Sequence, residues 1–149
     1  MATATSGVAA SIMPGGRTAH SCFKLPLSVK EGGCCSFTKQ GGTVKLLQQA
    51  ALIIWDEASM TKRQNVEALD NSLRGIMGRS NLLFGGKTIV LGGDFRQVLP
   101  VVRKGSRAQI VGASLRRSYL WESMRHLKLV RNMRAQSDPR FRWTDPDEL

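Results

Sequence analysis

Two stretches of this 149-residue chain place acidic or amide side chains directly after apolar runs. In Leu52-Ile53-Ile54-Trp55-Asp56-Glu57-Ala58 the apolar segment stops at two adjacent carboxylates. In Thr88-Ile89-Val90-Leu91-Gly92-Gly93-Asp94-Phe95-Arg96-Gln97 it stops at two glycines, an acid and then a glutamine. Polar groups at the carboxyl ends of parallel strands face the crevice where open α/β sheets bind ligands. There Asp56 would hold a Mg²⁺ on triphosphate oxygens, usually through water, and Glu57 would polarise the attacking water. Asp94 and Gln97 would emerge beside them, with Gln97 donating to the terminal phosphate or positioning the water. An acidic pair after a strand also serves as a solvated turn or a helix cap. Two polar strand ends in one small domain are more specific than either alone.

Gly86-Lys87-Thr88 is the chain's only tripeptide of the kind that closes a phosphate-binding loop. The full pattern G-x-x-x-x-G-K-[ST] requires a glycine at position 81, where Asn81 stands. Such a loop must also open a helix whose amides face the phosphates, whereas Thr88 opens an apolar strand. Lys87 therefore reads as a charged residue in the turn before that strand.

The elements that must carry these residues alternate. Val44 to Ala50 has helical character, Ala51 to Trp55 reads as a buried parallel strand, and Thr88 to Leu91 as another. Between the strands, Val66, Leu69, Leu73, Ile76 and Met77 share one helix face, with Lys62, Arg63, Asp70 and Arg74 directed away from it. Thr61 and Gln64 are spaced as a capping box, and Gly78 can end the helix. A helical region over 106–124 precedes a third apolar run, Leu127-Lys128-Leu129-Val130. Strand, helix, strand, helix, strand predicts an α/β domain with a mainly parallel sheet.

Lys and Arg number 22 against 11 Asp and Glu, a net charge of +11 without a basic tail, which favours a polyanionic partner such as nucleic acid. Cys22, Cys34 and Cys35 are odd in number and two are vicinal, so a disulfide framework is not expected and a reducing compartment fits better. Their spacing with His20 matches no zinc knuckle or ribbon. No apolar run approaches the ~20 residues of a membrane span, and no membrane partner is expected. The first 17 residues, rich in Ala, Ser and Thr, have the composition of an organelle transit peptide. The same segment, Thr5 to Met13 followed by Pro14-Gly15-Gly16, also reads as a short strand and a turn.

Ile53-Ile54-Trp55-Asp56-Glu57-Ala58-Ser59-Met60, then Phe84 to Pro100 and Leu129-Val130-Arg131-Asn132-Met133-Arg134, closely resemble motifs II, III and IV of the petite integration frequency (Pif) type of ATP-dependent DNA helicase. They look most like its plant and rolling-circle-transposon branch. Gly15-Gly16-Arg17-Thr18-Ala19-His20-Ser21 resembles motif Ia. The resemblance runs from about residue 4 to about residue 141, leaving residues 142–149 as a tail. It implies a RecA-like lobe, with Ala4 to Ala10 as one of its strands rather than a transit peptide. The magnesium and water-activating acids would be Asp56 and Glu57, the phosphate sensor Gln97, and the arginine that reaches the terminal phosphate Arg134. ATP would be the substrate, Mg²⁺ its cofactor, and single-stranded DNA and duplex junctions the partners. Unwinding would run 5′ to 3′ in replication, repair, recombination or telomere upkeep, in the nucleus or the mitochondrion. Around motif Ia, Thr18, His20, Phe23 and Lys24 combine hydroxyl, ring and charge as single-strand binders do, although Phe23 in the core and a structural His20 fit the pattern equally.

Two departures accompany the match. Ser59 stands where many relatives have proline, and no G-x-x-x-x-G-K-[ST] occurs in the sequence. The expectation is an incomplete RecA-like domain, lacking the Walker A strand and loop and a second lobe, and on that ground inactive by itself. The resemblance implies that the motif III strand lies between the Walker A and Walker B strands, so its outer edge is expected to be unpaired and prone to association.

Overall fold

A computed structural model describes residues 1–38, 40–96 and 99–130. Four strands, β1 (Ala2–Ala4), β2 (Arg17–Thr18), β3 (Leu52–Asp56) and β4 (Thr88–Leu91), form one sheet in the order β2-β1-β3-β4. Every pairing is parallel, with Ala4 opposite Asp56 and Trp55 opposite Leu91. All four carboxyl ends therefore open on one edge. The helices are α1 (Gly7–Ser11), α2 (Ala19–Cys22), α3 (Gly42–Gln49), α4 (Arg63–Met77) and α5 (Arg107–Gly112). The chain is thus an α/β domain with the mainly parallel sheet that the sequence predicts. Among the described residues no helix is long and apolar enough to cross a membrane.

The core lies on one face of the sheet. Ile53 and Trp55 point into it, packed with Phe23, Leu47, Val66, Leu69, Leu73, Leu115 and Leu120, all fully buried. Trp55 and Phe23 lie with ring centroids 5.3 Å apart. The opposite face is covered mainly over β1, where Ala4 packs on Ala9 and Ala10 of α1. β3 is consequently less two-sided than its apolar run implies, because Leu52 is 39% exposed. β4 pairs only with β3 among the described residues, and Val90 is 47% exposed, as expected of an unpaired outer edge.

Several local expectations change. The N-terminal strand is confined to Ala2–Ala4, because the Ser6 hydroxyl accepts from the Ala9 amide and starts a helix at Gly7. The α4 cap falls on Lys62, not Thr61; Thr61 instead accepts from the Asn65 amide group, so the capping box does not form. Gly78 does end α4, in the left-handed conformation at φ 63°. Asp70 is not directed to solvent but fully buried, because the turns at Leu83–Gly86 and Leu115–Arg117 cover what a helical wheel counts as the outer face. The helical region splits into α5 and two 3₁₀ turns, Leu115–Arg117 and Trp121–Ser123. Among the described residues Leu127 to Val130 forms no strand of the sheet, and Leu129 is 94% exposed.

Candidate active site

At the carboxyl end of β3 the chain turns sharply. Glu57 has φ 53° and ψ 35°, a left-handed conformation rare for a residue with a long side chain. Its amide donates to its neighbour Asp56 Oδ1 at 2.8 Å, and the Ala58 amide donates to the Gly92 carbonyl at 2.8 Å. The strand ends of β3 and β4 are thereby joined, which places Asp56, Glu57 and the Gly92-Gly93-Asp94 turn on one edge, as the sequence predicts. Both acids are partly accessible.

The two glycines keep this junction open. A Cβ on Gly92 would stand 2.8 Å from Asp56 Oδ1, and one on Gly93 would stand 2.8 Å from Ser59 Oγ. Ser59 is buried directly behind the acids, so the residue that replaces the usual proline is a packing neighbour of the Gly93 backbone. Asp94 accepts from the Arg96 amide at 2.9 Å, closing its own turn, and is exposed. Gln97 and Arg134 lie outside the described residues. Leaving space in front of Asp56, with the second carboxylate next in sequence, fits a hydrated Mg²⁺ held by Asp56.

Lys87 is accounted for elsewhere. Its ammonium group donates to the carbonyls of Gln48 at 2.5 Å and Ala50 at 2.9 Å, the free acceptors at the end of α3. A lysine that caps a helix C-terminus has no part in a phosphate cradle, in agreement with the strand that follows it.

The predicted nucleic-acid residues separate. His20, half-buried at the start of α2, lines a groove of about 550 Å³ with Thr5, Met60, Thr61, Lys62 and Gln109. The groove opens at the carboxyl ends of β2, β1 and β3, about 10 Å across two strand spacings. Thr18 sits at the end of β2 without capping α2 through its side chain, and Lys24 is exposed at φ 49°. Phe23 corrects the expectation: it is fully buried against Trp55 and offers no ring to a base. Its position after α2 turns it beneath the sheet, where apolar burial outweighs exposure. Among the basic residues with no face assigned from sequence, Lys62 and Arg63 both line the groove, and Arg63 is also bound to Glu31 and to Glu67 at 2.9 Å. Arg116 lies over the rings of Phe95 and Trp121 at 5.5 and 5.8 Å. The role of Thr5 and the conformation of Glu57 carry no signal in the sequence, since both depend on elements far apart in the chain, whereas Gln109 closes a local capping box with Ser106 that the Ser-x-x-Gln spacing could have shown.

Parallel strands that gather paired carboxylates and a diglycine turn at one edge define an α/β domain of the RecA-like class. Residues 1–147 match the PIF1-like helicase family, and the chain belongs to that family. It is 31% identical over 142 residues to the ATP-dependent DNA helicase PIF1 of Danio rerio, covering 94% of this chain and 21% of that one. Two solved structures are similar. One is the Pif1 helicase from Bacteroides in complex with ADP-AlF3 and single-stranded DNA, with TM-score 0.68 and 28% identity over 80% of this chain and 29% of that chain. The other describes DNA unwinding at forked duplex DNA by two coordinating Pif1 helicases, with TM-score 0.58 and 31% identity over 74% of this chain and 27% of that one. This chain spans between 12% and 23% of the length of the curated relatives it matches.

Proposed function

We propose that the protein carrying these residues is an ATP-dependent DNA helicase that moves 5′ to 3′ and acts in replication, repair, recombination or telomere upkeep. The nucleus, or else the mitochondrion, is its place, and it falls in the plant and rolling-circle-transposon branch of the family. Residues 1–141 are its share of the first RecA-like lobe, with residues 142–149 as a tail. The observation that carries the reading is the left-handed Glu57 beside Asp56 at the junction of β3 with Gly92. Asp56 would hold Mg²⁺, which supplies charge neutralisation on the triphosphate when bound. Glu57 takes a proton from the attacking water, Asp94 stands at the edge beside it, and Gln97 senses the terminal phosphate. Arg134 contributes positive charge at the terminal phosphate. His20, Thr18, Lys24 and the groove beside Lys62 receive single-stranded DNA and the mouth of a duplex junction, a reading supported by the DNA-bound relatives.

The test is DNA-stimulated ATP hydrolysis by a protein in which these residues join a G-x-x-x-x-G-K-[ST] sequence. Glu57→Gln lowers turnover by about 10²- to 10⁴-fold while nucleotide binding persists. A variant that hydrolyses ATP at the wild-type rate refutes the assignment.

A second reading rests on charge. With +11 over 149 residues, the chain by itself binds single-stranded nucleic acid weakly and hydrolyses nothing. DNA-stimulated hydrolysis by the 149 residues alone, abolished by Glu57→Gln, refutes that reading.

A further inference from the structure

The groove and the acid pair share one residue. Thr5 follows β1 and lines the groove that holds His20. On its other side it reaches the end of β3 through three close hydrogen bonds, with the Asp56 carbonyl a more distant 3.5 Å from Thr5 Oγ1. The Thr5 amide donates to the Asp56 carbonyl at 3.0 Å, the Trp55 indole Nε1 donates to Thr5 Oγ1 at 3.0 Å, and Thr5 Oγ1 donates to the Glu57 carbonyl at 2.8 Å. An indole N–H can only donate, so Oγ1 must accept from it. The hydroxyl has one proton, which is then directed to the Glu57 carbonyl. Trp55 is itself immobile, fully buried between Phe23 and the core.

Glu57 needs such a restraint. Its left-handed backbone is strained and persists only where its surroundings determine it. Four contacts do so: Asp56 Oδ1 on its own amide, the Gly92 carbonyl on the next amide, and on its carbonyl both the Thr5 hydroxyl at 2.8 Å and the Met60 amide at 3.1 Å. Of these, Thr5 and Met60 also face the groove, and Thr5 alone makes its contact through a side chain. We propose that Thr5 is a positioning residue, whose hydroxyl, aimed by the Trp55 indole, holds Glu57 in its left-handed conformation and links that conformation to occupancy of the groove by a single strand. The linkage rests on the groove being the DNA site proposed above; the positioning does not.

Thr5→Val keeps the side-chain shape without the hydroxyl, and Thr5→Ser keeps the hydroxyl. In the full 149-residue chain, labelled with ¹⁵N, the Trp55 indole N–H and the Glu57 amide are the two reporters. Thr5→Val speeds hydrogen exchange at the indole by about tenfold, the equivalent of one lost hydrogen bond, and moves the Glu57 amide resonance. Thr5→Ser restores both, which a general loss of stability would not. Unchanged exchange and an unmoved Glu57 amide in Thr5→Val overturn the positioning role. An oligothymidylate is then added. Wild type and Thr5→Ser show the Glu57 amide shifting along the binding curve read by fluorescence anisotropy, and Thr5→Val shows no such shift even where anisotropy reports the groove saturated. Binding to wild type with a still Glu57 amide overturns the linkage. Failure of the oligonucleotide to bind wild type overturns both the linkage and the DNA reading of the groove, and leaves the positioning role to be decided by the first arm.

Discussion

Replacing Asp70 by asparagine tests whether the scaffold behind the site is as tightly determined as its contacts require. The Asp70 carboxylate is inaccessible to solvent, and three donors converge on it: Arg74 Nε at 2.8 Å, Tyr119 Oη at 2.7 Å, and the backbone amide of Phe84. Asparagine has one acceptor oxygen, so its NH₂ group must face at least one donor wherever the oxygen is turned. Breaking a buried pair of this kind costs ~3–5 kcal/mol. The Arg74 side chain is 25% exposed and also donates to the Ser80 carbonyl at 2.6 Å, so its charge is not stranded, and we expect a loss of ~3 kcal/mol. Against a total of roughly 5–15 kcal/mol, that is a substantial share of the stability. At a urea dependence of ~1–3 kcal/mol per molar, the midpoint falls by about 1–3 M. Tyrosine absorbance gives a second readout. The Tyr119 hydroxyl is held above its ordinary range first by burial and then by its bond to Asp70 and the charge there. In Asp70→Asn it titrates at lower pH than in wild type while staying above a free tyrosine. A midpoint shift worth less than ~1 kcal/mol, or an unmoved Tyr119 titration, refutes the reasoning. The consequence reaches the site, because the Phe84 amide held by Asp70 belongs to the turn that feeds β4 and hence the Gly92-Gly93-Asp94 edge.

Lys87→Met removes the cap from the α3 carbonyls and lowers stability by ~1 kcal/mol, a fall of about 2–4 °C in thermal midpoint, with nucleotide affinity unaltered. Weakened nucleotide binding without loss of stability would return Lys87 to the role of phosphate ligand. Alkaline pH destabilises the chain through Cys35, whose thiol burial pushes up to about 12 from 9.0, with the Ser72 hydroxyl opposing in part. Above about pH 9 the unfolded thiol ionises while the folded one keeps its proton, so stability present below pH 9 is lost as pH rises toward 12, by up to ~1.4 kcal/mol per pH unit. Urea midpoints at about pH 8 and about pH 10.5 should differ less in Cys35→Ser, and an identical slope in both proteins contradicts the assignment.

What the sequence made legible follows from the range of the interactions involved. A run such as Leu52-Ile53-Ile54-Trp55 ending at Asp56-Glu57 is a local signal, because burial and release occur along one strand, and its position and direction held. The α4 pattern located Val66, Leu69 and Leu73 correctly, all fully buried. It misplaced Asp70 because periodicity reports one apolar face and says nothing of a second layer that approaches through hydrogen bonds. The segments that cover Asp70, around Phe84 and Tyr119, lie 14 and 49 residues away. Phe23 went the same way: beside a basic residue and a histidine it has the look of a stacking surface, and only the turn after α2 decides that it enters the core. The run from Leu127 to Val130 shows the converse, since apolar β-formers make a strand only where a sheet edge accepts them.

The same physics decides the meaning of Gly86-Lys87-Thr88. A phosphate loop is defined by free amides at a helix start, and here a strand follows instead: the Lys87 amide donates to the Phe84 carbonyl at 3.1 Å, and Thr88 opens the β3–β4 ladder opposite Leu52. The lysine still meets unpaired backbone groups with a partial charge, but they are carbonyls at the end of α3, and a cation suits that pole of a helix as an anion suits the other. Composition allowed either role for Lys87. The polarity of the nearest helix end chose between them, and a cation on the Gln48 and Ala50 carbonyls fixes α3 to the entry of β4, the strand whose far end adjoins Asp56.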